Sequence, residues 1–222
     1  MGELLIRRRE LILTNGGTPI VCPYITDGLI FWLDGINRGG ITGKWTDLIG
    51  GKTFTLNNVT ELENGVTFSS SGYGTYSGAV SANWQTETIE MAIAPMSIRN
   101  KCFLSPANAS VFGIGLITAT SVDQFSINTD GSSNKKWNCV SSTARLSANK
   151  SYAVVNGVSR NQNTNDSWSK NTSGTTYLGC RYTSSRSRYM NGTLYSLRIY
   201  NRQLSVSEMQ SNQAIDVARF YS

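Results

Sequence analysis

The feature that most constrains this chain is a recurring pattern of short runs in which apolar and polar residues alternate. Leu29, Phe31 and Leu33 alternate with Ile30, Trp32 and Asp34 before Gly35 ends the run. Ile89, Met91 and Ile93 alternate with Glu90, Ala92 and Ala94, giving an apolar and a more polar face. Tyr195, Leu197 and Ile199 share one face opposite Ser196, Arg198 and Tyr200. A period of two places successive side chains on opposite faces of a pleated strand. Further strand candidates lie near 53–59, 65–69, 99–104, 110–118, 122–128, 135–141, 150–155, 175–180 and 189–200. Asn64-Gly65, Asp130-Gly131, Asn156-Gly157 and Asn191-Gly192 punctuate them, and such pairs enter positive-φ hairpin turns at little cost. Charged residues make up only 15% of the 222, which leaves little material for long amphipathic helices, while 39% hydrophobic residues suffice for a core. Ser205-Val206-Ser207-Glu208 has the form of a capping box, which predicts one short helix over about 206–213. The pattern therefore predicts an all-β fold, a two-sheet antiparallel sandwich or jelly roll with a short C-terminal helix.

The absence of histidine removes Ser-His-Asp and Cys-His catalysis and every His-containing zinc site. Cys22, Cys102, Cys139 and Cys180 are widely spaced with no C-x-x-C pair, so free thiols are expected in preference to a metal site or a disulfide framework. The net charge is +6, and the positive residues are scattered apart from Arg7-Arg8-Arg9 and the group Arg181, Arg186 and Arg188. Scattered cations describe a solvated basic surface, so no nucleic-acid partner is expected. No apolar run approaches a membrane span.

Residues 1–23 read as a separate N-terminal segment and linker, and residues 24–222 as the β domain. Leu4-Leu5 recurs one heptad later as Leu11-Ile12, with Arg7, Arg8 and Arg9 mostly on the other side. Ten residues are too few for a helix that stands alone in water, so an ordered segment must lean on something. One reading makes it an anchoring or oligomerisation arm that docks on a sister chain or another protein. The other makes it a strand or coil packed on its own sandwich, or a frayed end. Thr14-Asn15-Gly16-Gly17-Thr18-Pro19 reads as a linker. The three arginines interrupt the apolar stretch that a secretory signal would keep whole, so no such signal is expected here.

The stretch Asp27-Gly28-Leu29-Ile30-Phe31-Trp32-Leu33-Asp34-Gly35, with Trp45-Thr46-Asp47-Leu48 after it, resembles the opening of laminin-G-like, concanavalin A-like lectin domains. Met190 to Ser205, with Leu197-Arg198-Ile199-Tyr200-Asn201-Arg202-Gln203-Leu204-Ser205 and then Glu208 and Asn212, resembles the family's closing strand and capped helix. The resemblance covers residues 27–220, with a weakly matched middle. It implies a concanavalin A-like jelly roll, with Trp32 and Trp45 in the core, Trp45 and Asp47 fixing a turn, and Arg198 able to pair with a carboxylate across the sheet. The opening is also similar to versions of the domain in bacteriophage and prophage proteins of gut bacteria, where a Leu- and Arg-rich N-terminus precedes the same motif. That likeness implies a virion structural protein assembled in the host cytoplasm, held by its arm to other virion proteins or sister chains.

Some relatives of this fold are retaining glycosidases, which need two carboxylates about 5 Å apart. Glu61 with Glu63 precedes a turn at an exposed hairpin, and Glu87 with Glu90 points to opposite faces, so a non-enzymatic binding or adhesion module is expected. Trp137 and Trp168 sit in polar stretches and are candidate platforms for sugar rings, unless each folds back over a sheet edge. Tyr182, beside Arg181, Arg186 and Arg188, is a further ligand-binding candidate that could meet an acidic glycan together with Arg186. Leu4, Leu5, Arg7, Arg8, Arg9, Leu11 and Ile12 are the assembly candidates. Family members often bind Ca²⁺, but Asp34, Asp47, Asp123 and Asp130 show no diagnostic spacing, so no metal ligand is assigned and no cofactor expected. The alternatives are a free-standing bacterial carbohydrate-binding lectin, in the cytoplasm or exported without a signal, and a capsid or tail decoration protein that binds no glycan.

Overall fold

The computed structural model describes residues 12–15, 18–80, 86–95, 101–106, 113–116, 124–128, 135–138, 144–149, 151–161, 174–182 and 185–222. Along the chain the strands are β1 (Ile12–Asn15), β2 (Thr18–Val21), β3 (Leu29–Asp34), β4 (Lys44–Thr46), β5 (Thr53–Glu61), β6 (Val66–Tyr76) and β7 (Thr88–Pro95). Then follow β8 (Lys101–Pro106), β9 (Gly113–Leu116), β10 (Gln124–Asn128), β11 (Lys135–Asn138), β12 (Ala144–Ala148), β13 (Tyr152–Val155) and β14 (Val158–Asn161). Short strands β15 (Thr176–Leu178), β16 (Arg181–Tyr182) and β17 (Arg186–Ser187) lead to β18 (Gly192–Tyr200) and helix α1 (Val206–Phe220).

The all-β expectation holds, and every paired ladder is antiparallel among the described residues. The main ladder runs β11-β10-β9-β8-β15-β6-β18-β7-β12-β13-β14. Its two halves meet on β6, whose first residues pair with β18 and whose last residues pair with β15. A bulge in β5 between Asn57 and Val59, with Asn58 at φ 53°, sharpens the bend there. The ladder thus folds over on itself into a jelly roll. Phe54, Leu56, Phe103, Leu104 and Leu178 from one half pack with Phe31, Leu33, Met91, Ile93, Leu146, Leu194 and Leu197 from the other. Trp45 lies in this core with its Nε1 donating to the Asp34 carbonyl at 3.1 Å. Asp47 accepts from the backbone N–H groups of Trp32, Ile49 and Gly50 and so fixes the turn as expected. At the β13–β14 hairpin, Asn156 and Gly157 both take positive φ, 49° and 82°.

The sequence reading fails at the N-terminal linker. Thr14, Asn15, Thr18 and Pro19 are strand residues of the antiparallel β1–β2 pair, in which Asn15 stands opposite Thr18 and Ile12 opposite Val21. Gly16 and Gly17 lie outside the described residues, and four-residue strands are too short for period alone to reveal. Ile12, placed on a helical arm, is therefore a strand residue. Leu4, Leu5, Arg7, Arg8, Arg9 and Leu11 lie outside the described residues. Among the described residues, no helix is long and apolar enough to cross a membrane.

Helix α1 starts on the expected capping box: Ser205 Oγ accepts from the Glu208 N–H, and Glu208 accepts from the Ser205 N–H at 2.8 Å. It runs to Phe220, two turns beyond the expected end, because its inner face is largely polar. Met209, Asn212, Gln213, Asp216 and Phe220 are buried at helical spacing. They cover the face of β7, β12 and β13 that the alternation had marked as polar. Beneath them Arg198, wholly buried, donates to both oxygens of Asp216 at 2.8 and 2.7 Å, to Glu90 at 3.0 Å and to Ser196 at 3.0 Å. Glu90 sits opposite Arg198 in the β7–β18 register and also accepts from Ser147 and Asn212. Tyr24 donates to Asp216 at 2.8 Å while the Arg198 guanidinium lies 3.9 Å from the centre of its ring. Burial pushes the Glu90 carboxyl above its ordinary range, against the pull of Arg198. Burial alone would lower Arg198, but Asp216, Tyr24 and Glu90 hold it well above its usual value.

Two outcomes follow from these contacts. Arg198→Met leaves Glu90 and Asp216 buried without their cation, and urea unfolding is expected to show a loss of about 3–5 kcal/mol. Glu208, bound by Arg202 and by Ser205, has its carboxyl lowered from 4.5 to about 2. The unfolded chain therefore binds more protons in that window, so this contribution is complete above pH 4.5 and is lost as pH falls towards about 2. The melting-temperature gap between wild type and Glu208→Gln should close over that range.

Candidate functional site

The sandwich face on the β4-β5-β6-β15 side carries a row of outward side chains brought into line by the ladder. Lys44 stands opposite Thr55, Thr55 opposite Thr75, and Thr75 opposite Tyr177. Their neighbours Trp45, Phe54, Leu56, Gly74 and Leu178 point to the core, so alternation forces these four outwards. Lys44 Nζ donates to Thr55 Oγ1 at 2.8 Å, and Thr55 is exposed while the other three are half-buried. One pair further along, Asn57 faces Tyr73.

After Leu178 the chain must leave the core and cross this face. Gly179 allows it, with φ at 77° and its α-carbon so close to the Phe68 ring that a Cβ would overlap it. The β16–β17 hairpin then lies against β8, with Tyr182 opposite Arg186. Tyr182 stacks on Tyr177 with ring centres 4.6 Å apart and planes within 6°. Arg186 lies over the Tyr73 ring at 4.3 Å and hydrogen-bonds Tyr189. Arg188, at φ 49°, is exposed beside them. Partial burial in the cluster pushes the Tyr177 phenol up, and Tyr182 adds to the shift. The Cys180 thiol beneath is pushed up to about 12 by burial, so it is inert at neutral pH. Cys22 is likewise free and buried.

Two of the four ligand candidates, Tyr182 and Arg186, are therefore brought together. Trp137 is not with them on the backbone: β11 is three ladder steps from Lys101, at the end of β8 away from Ser105, which faces Tyr177. Its side chain and the whole of Trp168 lie outside the described residues. The sequence reading missed Lys44, Thr55, Thr75, Tyr73, Tyr177 and Tyr189. The polar alternation Thr53, Thr55, Asn57 in β5 was the available signal, but it names a solvent face and not its neighbours.

The other candidate chemistries are occupied. Asp34 holds Arg219 through both oxygens at 2.8 and 2.7 Å, and Asp47 serves its turn. Asp123 and Asp130 lie outside the described residues. Among the described residues, no cluster of three or more Cys, Asp or Glu side chains is placed to hold a metal. Glu61 accepts from the Gly43 N–H and faces Arg38 at 3.5 Å. Glu90 and Asp216 converge on Arg198 and are buried with it. A cleft of about 620 Å³ between residues 21–27 and α1 has its charges paired, Arg202 with Asp27 and Glu208.

Residues 103–210 match the family model of the concanavalin A-like lectin/glucanases superfamily. The fold described above is the jelly roll of that superfamily. No curated protein matches this sequence. The concanavalin A-like domain is similar to domain 4 of AbnA, a GH43 extracellular arabinanase from Geobacillus stearothermophilus, solved with arabinotriose. That match has a TM-score of 0.63 and 13% identity, covering 84% of this chain and 98% of that one. The binding domain of botulinum neurotoxin DC in complex with SialylT matches at TM-score 0.57 and 13% identity, over 86% of this chain and 52% of that one. Trypanosoma rangeli sialidase with 2,3-difluorosialic acid matches at TM-score 0.57 and 15% identity, over 90% of this chain but only 34% of the sialidase. At these identities the likeness is one of fold.

If the tyrosine and arginine side chains serve a ligand and not the core, removing them should leave the domain standing. Tyr182→Ala is expected to cost at most the stacking contribution of about 0.5–1.5 kcal/mol. Arg186→Gln should leave the melting midpoint at the wild-type value. Thermal unfolding followed by circular dichroism reads both.

Proposed function

We propose that this protein is a non-catalytic carbohydrate-binding module whose ligand lies along the outward row from Lys44 to Tyr177 and against the Tyr182–Arg186 hairpin. The observation that carries the reading is the tyrosine cluster, three rings and a stacked guanidinium on a half-exposed face lined by hydroxyls and an amide. A sugar ring offers an apolar C–H face to an aromatic plane, while its hydroxyls exchange hydrogen bonds with Thr55, Thr75 and Asn57. Arabinotriose and SialylT, with which the AbnA domain and the neurotoxin binding domain were solved, fit this class. Non-catalysis is supported by the carboxylates: Glu90 and Asp216 are sealed beneath α1, and Glu61 is engaged with Arg38 and Gly43. We also propose the wider setting of an adhesion module on a phage virion, attached to other virion proteins or sister chains through residues 1–23. That setting rests on the resemblance of the N-terminal and opening motifs.

A glycan array probed with the labelled full chain tests the binding reading. Retention of at least one glycan is expected, with Tyr182→Ala and Tyr73→Ala each weakening it about tenfold, the loss of one ring–sugar contact. Val158→Ala, an exposed residue elsewhere, should bind as wild type. The retained glycan should be recovered unchanged by mass spectrometry after long incubation. Tyrosine variants that bind as tightly as wild type would overturn the site, and a shortened glycan would overturn non-catalysis.

A further inference from the structure

We propose that the ligand of this face is an acidic polysaccharide carrying carboxylates at intervals along its chain, an inference that rests on the carbohydrate-binding reading. The observation is how the cations are disposed along the row. Lys44 stands on β4 at one end, and Arg186 lies over Tyr73 beside the Tyr177–Tyr182 stack towards the other. Three ladder steps separate Lys44 from Tyr177, roughly 14 Å at the usual strand spacing. Between them are Thr55, Thr75, Asn57, Tyr73 and Tyr177, and among the described residues none of these outward positions holds a carboxylate.

Four other described arginines are committed to carboxylates, while Arg145 lies over the Tyr221 ring. Arg38 faces Glu61, Arg198 holds Glu90 and Asp216, Arg202 holds Asp27 and Glu208, and Arg219 holds Asp34. Arg186 instead places its guanidinium carbon 4.3 Å from the centre of the Tyr73 ring, with one contact to Tyr189, and no described carboxylate lies within ion-pair distance of it or of Arg188. A guanidinium drawn over a ring keeps N–H donors free in its planar fork, which can receive a carboxylate through two parallel hydrogen bonds. Lys44 gives one of its three donors to Thr55, leaving two for a second acid group. A neutral glycan has no use for two separated cations aimed at one row of hydroxyls and rings. Nucleic acid is disfavoured because its charge recurs about every 1.7 Å, far more densely than these cations.

The test measures affinity of the full chain, by retardation in native gels and by calorimetry, for polygalacturonate, alginate and polysialic acid. Each polymer is compared with its fully methyl-esterified form, and single-stranded DNA is the polyanion control. The expected result is tighter binding to at least one acid form than to its ester by about tenfold or more, weakened by salt. Lys44→Gln and Arg186→Gln should each remove about tenfold of that preference, with Arg186→Lys intermediate because it keeps the charge and loses the fork. Equal binding of acid and ester, still abolished by Tyr182→Ala, would overturn the acid preference and leave carbohydrate binding intact. Failure to bind any of the three polymers in acid form, with neutral glycans retained on the array, would do the same. Retention of no glycan in either experiment would overturn both readings. Binding of DNA as tight as that of the acid polymers and indifferent to Tyr182→Ala would reduce the face to unspecific charge.

Discussion

The architecture depends on one buried guanidinium. Arg198 has no solvent, so its charge must be met from within, and it is met from two elements at once: Glu90 on the neighbouring strand and Asp216 on the terminal helix. Burying three ionic groups is costly in itself, and well-packed apolar residues of similar volume can be as stable. What the arrangement adds is definition. A helix whose inner face offers Asn212, Gln213 and Asp216 can settle on the sheet in only one rotation and one register, since any other leaves a charge unmatched. Tyr24 joins the same network, so the segment that leads into the first strand of the sandwich is fixed by the closing helix.

That closure divides the molecule into two unlike faces. Over β7, β12 and β13 most of the buried donors and acceptors are spent inside the protein, with Ser147, Gln213, Asn212 and Tyr200 joining the set, while Arg145 Nε has no partner. Over β4, β5, β6 and β15 the outward residues are hydroxyls, an amide, tyrosines and cations with hydrogen-bonding capacity left. The tightness of the first face permits the openness of the second. A sheet clamped from behind presents its row of side chains at fixed strand spacing, which is the preorganisation that recognition of a repeating ligand requires.

Much of the fold was legible because the strands that line the core obey a period of two and end on strong turn signals. The run Leu29–Asp34 and the strand candidates at 53–59 and 189–200 coincide with β3, β5 and β18 to within a few residues. The capping box set the helix start to the residue, since its two hydrogen bonds are local. The helix end was illegible because the residues that hold it down are Asn212, Gln213 and Asp216, which carry no hydrophobic period. The β1–β2 pair was missed for the opposite reason, as four residues a side give too little period to read. The site was half legible. Tyr182 and Arg186 stand close in sequence and their chemistry is visible there, whereas Lys44, Thr75 and Tyr177 meet only through three ladder registers that no spacing encodes.

The charge balance gains meaning once it is distributed over the structure. Twenty basic and fourteen acidic residues give +6, which in the sequence looks like a diffuse basic coat. In the fold, acids are drawn into structural work: Asp34, Glu61, Glu90, Asp216 and Glu208 each meet an arginine, and Asp47 binds a turn with Lys52 nearby. Each such pairing removes one charge of either sign from the outer field, so the surplus concentrates where cations remain without a described acid. Arg186, Arg188 and Lys44 are among those, and they border the same aromatic row. The demands of folding therefore also shape the field of the proposed binding face: carboxylates committed to holding the scaffold together are absent from the outward row of hydroxyls and rings.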